Sequence, residues 1–241
     1  MTEHPFLRNE MLWGTAAQET LSRSHVIVFG LGGVGSYAAE CLARSGIGEL
    51  TIVDNDIVSL TNRNRQLEAL SSTLGQRKTD AVAARLLDIN PELVIHPIFG
   101  TYNAENRGLF FPAGAAYDYI ADAIDLVSCK LDLIQTALER GIPIISALGT
   151  GNKLDSTQLT VADISKTQGC PLARIIRKEL RHRNILHHKV VYSPEEACEA
   201  LGTTDEAPPP GRRSIPASVI WVPAAAGLLL AAEVIKDLTA S

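Results

Sequence analysis

Four apolar residues, Val26 to Phe29, run straight into Gly30-Leu31-Gly32-Gly33-Val34-Gly35, and a helical pattern begins at Ser36. No other stretch constrains the fold as strongly. The apolar run reads as a buried parallel strand. Strand, glycine turn and helix in immediate succession make Gly30-x-Gly32-x-x-Gly35 a candidate nucleotide site. Gly30 lets the chain turn, Gly32 lets a phosphate or ribose approach the backbone, and Gly35 lets helix and strand pack closely. The first amides of the helix then turn the positive end of its dipole towards a ligand. A tight turn without a ligand would use the same glycines. The motif alone does not choose a nucleotide, and Gly33 is an extra glycine within it.

The following segments supply candidates. Residues 49–54 read as a second strand ending at Asp54, roughly 20 residues past the turn, where a dinucleotide fold sets an acid on the ribose. Asp56 either acts with it or caps the next turn. The stretch 59–66 is polar and basic, with Asn62, Arg65 and Gln66. Residues 76–90 form a helix with Lys78 near its start. A cation there opposes the helix dipole and calls for an anion, which a phosphate would provide; a solvated lysine is the alternative. Residues 92–99 are a third strand. Residues 117–125 are a fourth running into a loop, with Asp122 and Asp125 at its carboxyl end, where open α/β sheets bind ligands. A helix over 126–140 and a strand over 142–148 complete an alternation that predicts an α/β fold. It is a Rossmann-like, doubly wound, mainly parallel sheet.

Residues 5–22 form an N-terminal helical arm bearing Arg8. Beyond residue 150 the pattern changes. A strand over 158–164, expected to be antiparallel, precedes a helix opened by Cys170-Pro171 that carries Arg174, Arg177, Lys178 and Arg181. A short strand over 189–193 follows, then a polar crossover loop over 195–213 with Pro208-Pro209-Pro210, Arg212 and Arg213. This extension lacks a core of its own and should sit on residues 24–150 as part of one unit spanning 1–241. The closing apolar run, 219–235, holds Pro223, Gly227 and Glu233 and falls short of the ~20 uncharged residues of a bilayer span. It reads as a core or dimer-interface helix, and no stable membrane insertion is expected.

Composition excludes several classes. With 46% hydrophobic residues in 241 and a net charge of −5, the chain is globular and does not advertise nucleic acid globally. Cys41, Cys129, Cys170 and Cys198 form no C-x-x-C pair, so neither a disulfide framework nor a structural zinc is expected, and a cytoplasmic setting is natural. The N-terminus has no secretory design. His182, His187 and His188 read as surface decoration rather than metal ligands.

Gly-x-Gly-Gly-Val-Gly-Ser at 30–36, Asp54-x-Asp56, Asn62-x-x-Arg65-Gln66, Gly75-x-x-Lys78, Ile89-Asn90-Pro91 and Asp122-x-x-Asp125 together resemble the MoeB/ThiF/HesA family of adenylating enzymes, relatives of ubiquitin-activating enzyme. The match is collinear from about residue 6 to 150. Within the family, Gly46-Ile47-Gly48, residues 163–180 and residues 190–195 look like the tRNA threonylcarbamoyladenosine dehydratase branch, with Cys170-Pro171 where that branch has Asp-Pro. The resemblance implies ATP and Mg2+ as cofactors. Gly32 and Gly33 would border the adenosine and α-phosphate, with Gly33 leaving room for that phosphate. Asp54 would hold the ribose, Arg65 and Lys78 the phosphates, and Asp125 the magnesium. Arg8 would reach into the partner subunit's site of a homodimer. The carboxylate on modified tRNA would be adenylated and then closed into a ring, with no catalytic cysteine required, although Cys170 opens a helix that could activate a thiol. The basic helix with Arg174, Arg177, Lys178 and Arg181 fits a tRNA contact or a solvated face. A ubiquitin-like sulfur carrier is the competing substrate, which would bring a sulfur-relay partner. An NAD oxidoreductase and an idle dimeric scaffold are the remaining alternatives.

Overall fold

Residues 25–29 alternate their side chains between two sheet faces, Val26 and Val28 to one core and Ile27 and Phe29 to the other, all fully buried. A strand buried on both sides needs helices on both faces, and the computed structural model supplies them. It describes residues 3–202 and 215–240. Pro208, Pro209, Pro210, Arg212 and Arg213 of the expected crossover loop lie outside the described residues.

The elements are α1 (Leu7–Trp13), α2 (Thr15–Arg23), β1 (His25–Phe29), α3 (Gly35–Arg44), β2 (Glu49–Asp54), α4 (Lys78–Ile89), β3 (Val94–Phe99), α5 (Arg107–Phe110), β4 (Tyr119–Asp122), α6 (Val127–Arg140), β5 (Ile144–Ala147), β6 (Thr160–Asp163), α7 (Pro171–His182), β7 (Lys189–Tyr192) and α8 (Trp221–Thr239). They build one sheet in the order β3-β2-β1-β4-β5-β7-β6. Every pair is parallel except β6 with β7. The chain order reverses between β1 and β4, so the glycine turn leaves β1 at the switch point where such sheets bind ligands.

Several elements are shorter than the sequence predicts, the fourth strand and the helix after residue 76 among them. The fourth begins at Tyr119 because Asp118 is used at the sheet edge, where its carboxylate accepts from His25 N at 2.7 Å. It ends at Asp122, whose Oδ1 accepts from Ile124 N at 2.9 Å and turns the chain. The helix expected from residue 76 starts at Lys78, since Gln76 O accepts from Val58 N at 2.8 Å and Arg77 bridges to Ile57.

The apolar run over 219–235 is a core helix. Ala226, Leu230, Ala231 and Val234 of α8 are buried among Ala38, Leu42 and the sheet. The crossing with α3 is close: a Cβ on Gly227 would stand 2.2 Å from Val34 O. Among the described residues, no helix is long and apolar enough to cross a membrane. On the other face, Leu133, Ile134, Ile176 and Leu180 from α6 and α7 cover Ile27, Phe29 and Ile120. The arm folds as two helices. Leu21 and Gln18 anchor α2, whereas α1 buries nothing, and Met11 and Leu12 are 70% and 85% exposed.

Candidate active site

The glycine turn is shaped by close backbone approaches. Gly30 has φ +85°, and a Cβ there would lie 2.7 Å from Ala123 O. A Cβ on Gly35 would overlap Gly30 O. Gly33 is closely packed as well: a Cβ there would lie 3.2 Å from Pro223 of α8 and 3.4 Å from Arg65 O, a tight fit. Gly32 faces Gln66 Nε2 at an ordinary 3.7 Å.

Asp54 ends β2 beside this turn and holds it. Its Oδ2 accepts from Leu31 N at 2.6 Å and its Oδ1 from Asp56 N at 2.8 Å. Burial pushes its pKa up, against the pull of Lys78 and the two amides. Lys78 begins α4 and is almost wholly buried, and its Nζ pairs with Asp56 at 2.8 Å. The anion expected for this lysine is therefore supplied within the chain. The Asp56 side chain is 58% exposed, which leaves it free to yield to a ligand anion.

The polar stretch after β2 wraps the same edge. Asn62 Oδ1 accepts from Ser59 N at 3.0 Å and closes a short 3-10 turn, a local role that the sequence reading did not assign. Arg65 donates to Thr61 O and Asn64 Oδ1, both at 2.9 Å, so its guanidinium is steadied by its own loop. Gln66 is buried, and its Oε1 has no hydrogen-bond partner among the described residues. Glu68, which sequence reasoning missed, is only 1% exposed, and neither carboxylate oxygen has a hydrogen-bond partner among the described residues. Burial pushes its pKa up to about 7, with Lys78 opposing and Asp54 adding to the rise. Its signal was an acid set among Leu67, Ala69 and Leu70.

Asp122 and Asp125 separate. Asp125 is exposed in the loop after β4. Asp122 corrects the expectation of a ligand contact. It is completely buried, paired with Lys130 Nζ at 2.6 Å and accepting from Ser146 Oγ at 2.6 Å. His188 continues this network, 2.8 Å from Ser146 Oγ, with its pKa pushed down to about 3 by burial and by Lys130. The surface position expected for His188 is thus overturned, because the start of β7 is covered by the sheet's neighbours. Cys170 is buried at the start of α7, which denies it the exposure of a nucleophile.

Arg8 lies away from these groups. Asn9 Nδ2 donates to Arg44 O at 3.0 Å and Phe6 packs beside Gly46, fixing α1 at the carboxyl end of α3. The glycine turn is at the other end, about 15 Å along the helix. Arg8 is exposed there. On α7, Ala173, Ile176 and Leu180 face the core, and Arg174, Arg177, Lys178, Arg181 and His182 line a groove on the outside. Arg177 is tied down, donating to Thr167 O and Oγ1 at 2.6 Å.

The profile of the ThiF family matches residues 6–241. The chain belongs to the ThiF family. It is 43% identical over 243 residues to the tRNA threonylcarbamoyladenosine dehydratase of Bacillus subtilis, covering 98% of this chain and 94% of that protein. The crystal structure of the Escherichia coli tRNA N6-threonylcarbamoyladenosine dehydratase in complex with ATP superposes with a TM-score of 0.86 at 32% identity, over 98% of this chain and 94% of the other. A more distant relative is the yeast adenylyltransferase and sulfurtransferase UBA4, 32% identical over 65% of this chain and 34% of its own.

Two predictions follow from the charges. Asp122→Ala leaves Lys130 buried without its partner and should cost about 3–5 kcal/mol in denaturant unfolding, while the folded variant keeps its affinity for ATP. A loss of ATP affinity at unchanged stability would restore Asp122 to the ligand site. Glu68 has a folded pKa above its unfolded value of 4.5, so the unfolded chain binds fewer protons and stability falls as pH rises from about 4.5 through about 7. Glu68→Gln should match the parent near pH 5 and melt higher by pH 8, by no more than a few kcal/mol at roughly 1.4 kcal/mol per pH unit. Parallel stability curves would refute the buried charge.

Proposed function

We propose that this protein is an ATP-dependent tRNA threonylcarbamoyladenosine dehydratase working through an acyl-adenylate, with residues 1–241 acting as one adenylation unit. The observation that carries the proposal is the glycine turn at the sheet's switch point, bordered by a buried Lys78 whose only ion-pair partner among the described residues is the exposed, exchangeable Asp56. The full-length likeness to the Bacillus dehydratase narrows the substrate to the threonylcarbamoyl carboxylate on tRNA.

In this reading, Gly30, Gly32, Gly33 and Gly35 shape the turn that receives the nucleotide. Asp54 takes the ribose hydroxyls while still holding Leu31 N. Gln66 Oε1, buried and unpartnered among the described residues, awaits a donor. Asn62 keeps the basic loop in place so that Arg65 and Lys78 meet the phosphates, and Lys78 exchanges Asp56 for them. A carboxylate oxygen of the substrate attacks the α-phosphorus, pyrophosphate leaves, and the carbamoyl group then attacks the activated carbonyl and expels AMP. The net change on the nucleoside is loss of one water. Cations fixed where phosphate charge accumulates stabilise the transition state beyond the ground state. Ring closure is intramolecular, so positioning supplies much of the acceleration.

Asp125 would hold magnesium. An exposed carboxylate at the carboxyl edge of the sheet suits an ion that binds one or two carboxylates together with substrate phosphates. Bound there, the ion neutralises phosphate charge. The outer face of α7 would meet tRNA phosphates through Arg174, Lys178 and Arg181, with Arg177 bracing the segment before it. Arg8 would act in the partner's site of a homodimer. Its distance from its own turn and the exposed Met11 and Leu12 beside it on α1 support that assignment. The setting is the cytoplasm. The second reading, activation of a ubiquitin-like sulfur carrier with a sulfur-relay partner, is favoured only by the UBA4 likeness.

Incubation with ATP, magnesium and tRNA carrying threonylcarbamoyladenosine should yield a nucleoside lighter by one water in mass spectrometry. An unchanged nucleoside, with pyrophosphate exchange driven instead by a carrier ending in Gly-Gly, would transfer the assignment to the second reading. Arg8→Ala should lower the rate about 10²–10³-fold with the dimer intact by gel filtration. Mixing it with Lys78→Ala subunits should bring activity back, since each mixed dimer has one complete site. A mixture that exchanges subunits and stays inactive would remove Arg8 from the partner's site.

A further inference from the structure

A second cluster of polar groups lies at the opposite edge of the sheet. His25 and Glu49 open β1 and β2 and stand side by side in the parallel register, and His96 of β3 stands beside Thr51. The ligand atoms of His25, Glu49 and His96 all lie within 4.8 Å of one another. His96 Nε2 is 2.8 Å from Glu49 Oε1, and His25 Nδ1 is 3.4 Å from the same oxygen. Nitrogen and oxygen ligands about 2.0–2.1 Å from a tetrahedral ion stand roughly 3.3 Å apart, within the range of these separations.

The surroundings fix the rings for ligation. His25 Nε2 is 2.9 Å from Thr51 Oγ1, which leaves Nδ1 directed at Glu49. Metal-binding imidazoles use the same division, with one nitrogen on the ion and the other held by a hydrogen bond. Tyr117 packs edge-on against the His25 ring with centroids 4.6 Å apart, and His25 N donates to Asp118 at 2.7 Å. Three adjacent strands supply the ligands, so little conformational freedom remains to be lost on binding. His96 and Glu49 are partly exposed and give an ion access from solvent. Asp54 is at the far end of the same strand β2, about 16 Å away, so this cluster is separate from the nucleotide edge.

We infer that His25, Glu49 and His96 form a binding site for one divalent transition-metal ion of the zinc class, tying β1, β2 and β3 together at the amino-terminal edge of the sheet. Two imidazoles and a carboxylate match the ligand preferences of that ion, and no cysteine pair is involved.

The test uses the full chain, stripped with a chelator and dialysed against zinc chloride. One zinc per chain should bind to the parent, and cobalt in its place should give the visible absorption of a tetrahedral or five-coordinate site. His96→Ala and Glu49→Gln should weaken zinc binding by at least about 100-fold, and Thr51→Val by roughly 10–100-fold. His187→Ala, outside the cluster, should bind as the parent does. Each variant is first checked for a native circular dichroism spectrum, and His96 is exposed enough for its removal to leave the core intact. Equal zinc uptake by the parent and His96→Ala would overturn the site, as would no uptake by the parent at saturating zinc.

Discussion

The carboxylate of Asp54 is the point on which the nucleotide edge depends. One oxygen fixes the glycine turn through Leu31 N, and the other fixes Asp56 through its amide. Through Asp56 the same anchor reaches Lys78, whose backbone amide also donates to Asp56 O at 3.1 Å. Charge-assisted hydrogen bonds of this kind are roughly twice as strong as neutral ones. A single buried acid thereby sets the position of both the glycine turn and the buried cation beside it. Lys78 is buried and only Asp56 faces solvent, so an anion that displaces Asp56 must neutralise the lysine in its place.

The acids of this protein divide by what surrounds them. Asp54 and Asp56 remain at the edge, whereas Asp122, level with Val53 across β1, joins Lys130, Ser146 and His188 in a closed network. That network ties β4, α6, β5 and the start of β7 together across the centre of the sheet. Glu68 is the outlier, buried beside Lys78 and Asp54 with neither oxygen bonded among the described residues. Uncompensated burial of this sort is what a chain tolerates next to a site rather than in its core.

Local pattern was enough to read the strands, the glycine turn, the helical arm and the closing apolar helix, because each depends on side chains a few residues apart. The roles of Asp122 and His188 were not legible. Their partners, Lys130 and Ser146, come from other elements, and nothing in the spacing of Asp122-x-x-Asp125 distinguishes a buried pair from a ligand contact. The packing of Pro223 on Gly33 was not legible either, since the two meet only after α8 has folded back. Likewise the His25–Glu49–His96 cluster needs the strand register, which no linear motif encodes.

The crossing of α8 over α3 has a consequence for the order of events during synthesis. The first βα unit is made about 10–40 s before α8 at roughly 5–20 residues per second, yet Gly33, Val34 O and Ala38 pack against α8. For that interval the nascent chain carries the α8 side of α3 and of its glycine turn uncovered. The long gap between α3 and α8 makes this a slow, high-contact-order closure. Helix α8 is therefore a late keystone, and the glycine turn becomes a finished surface only once that helix has been made and has folded back.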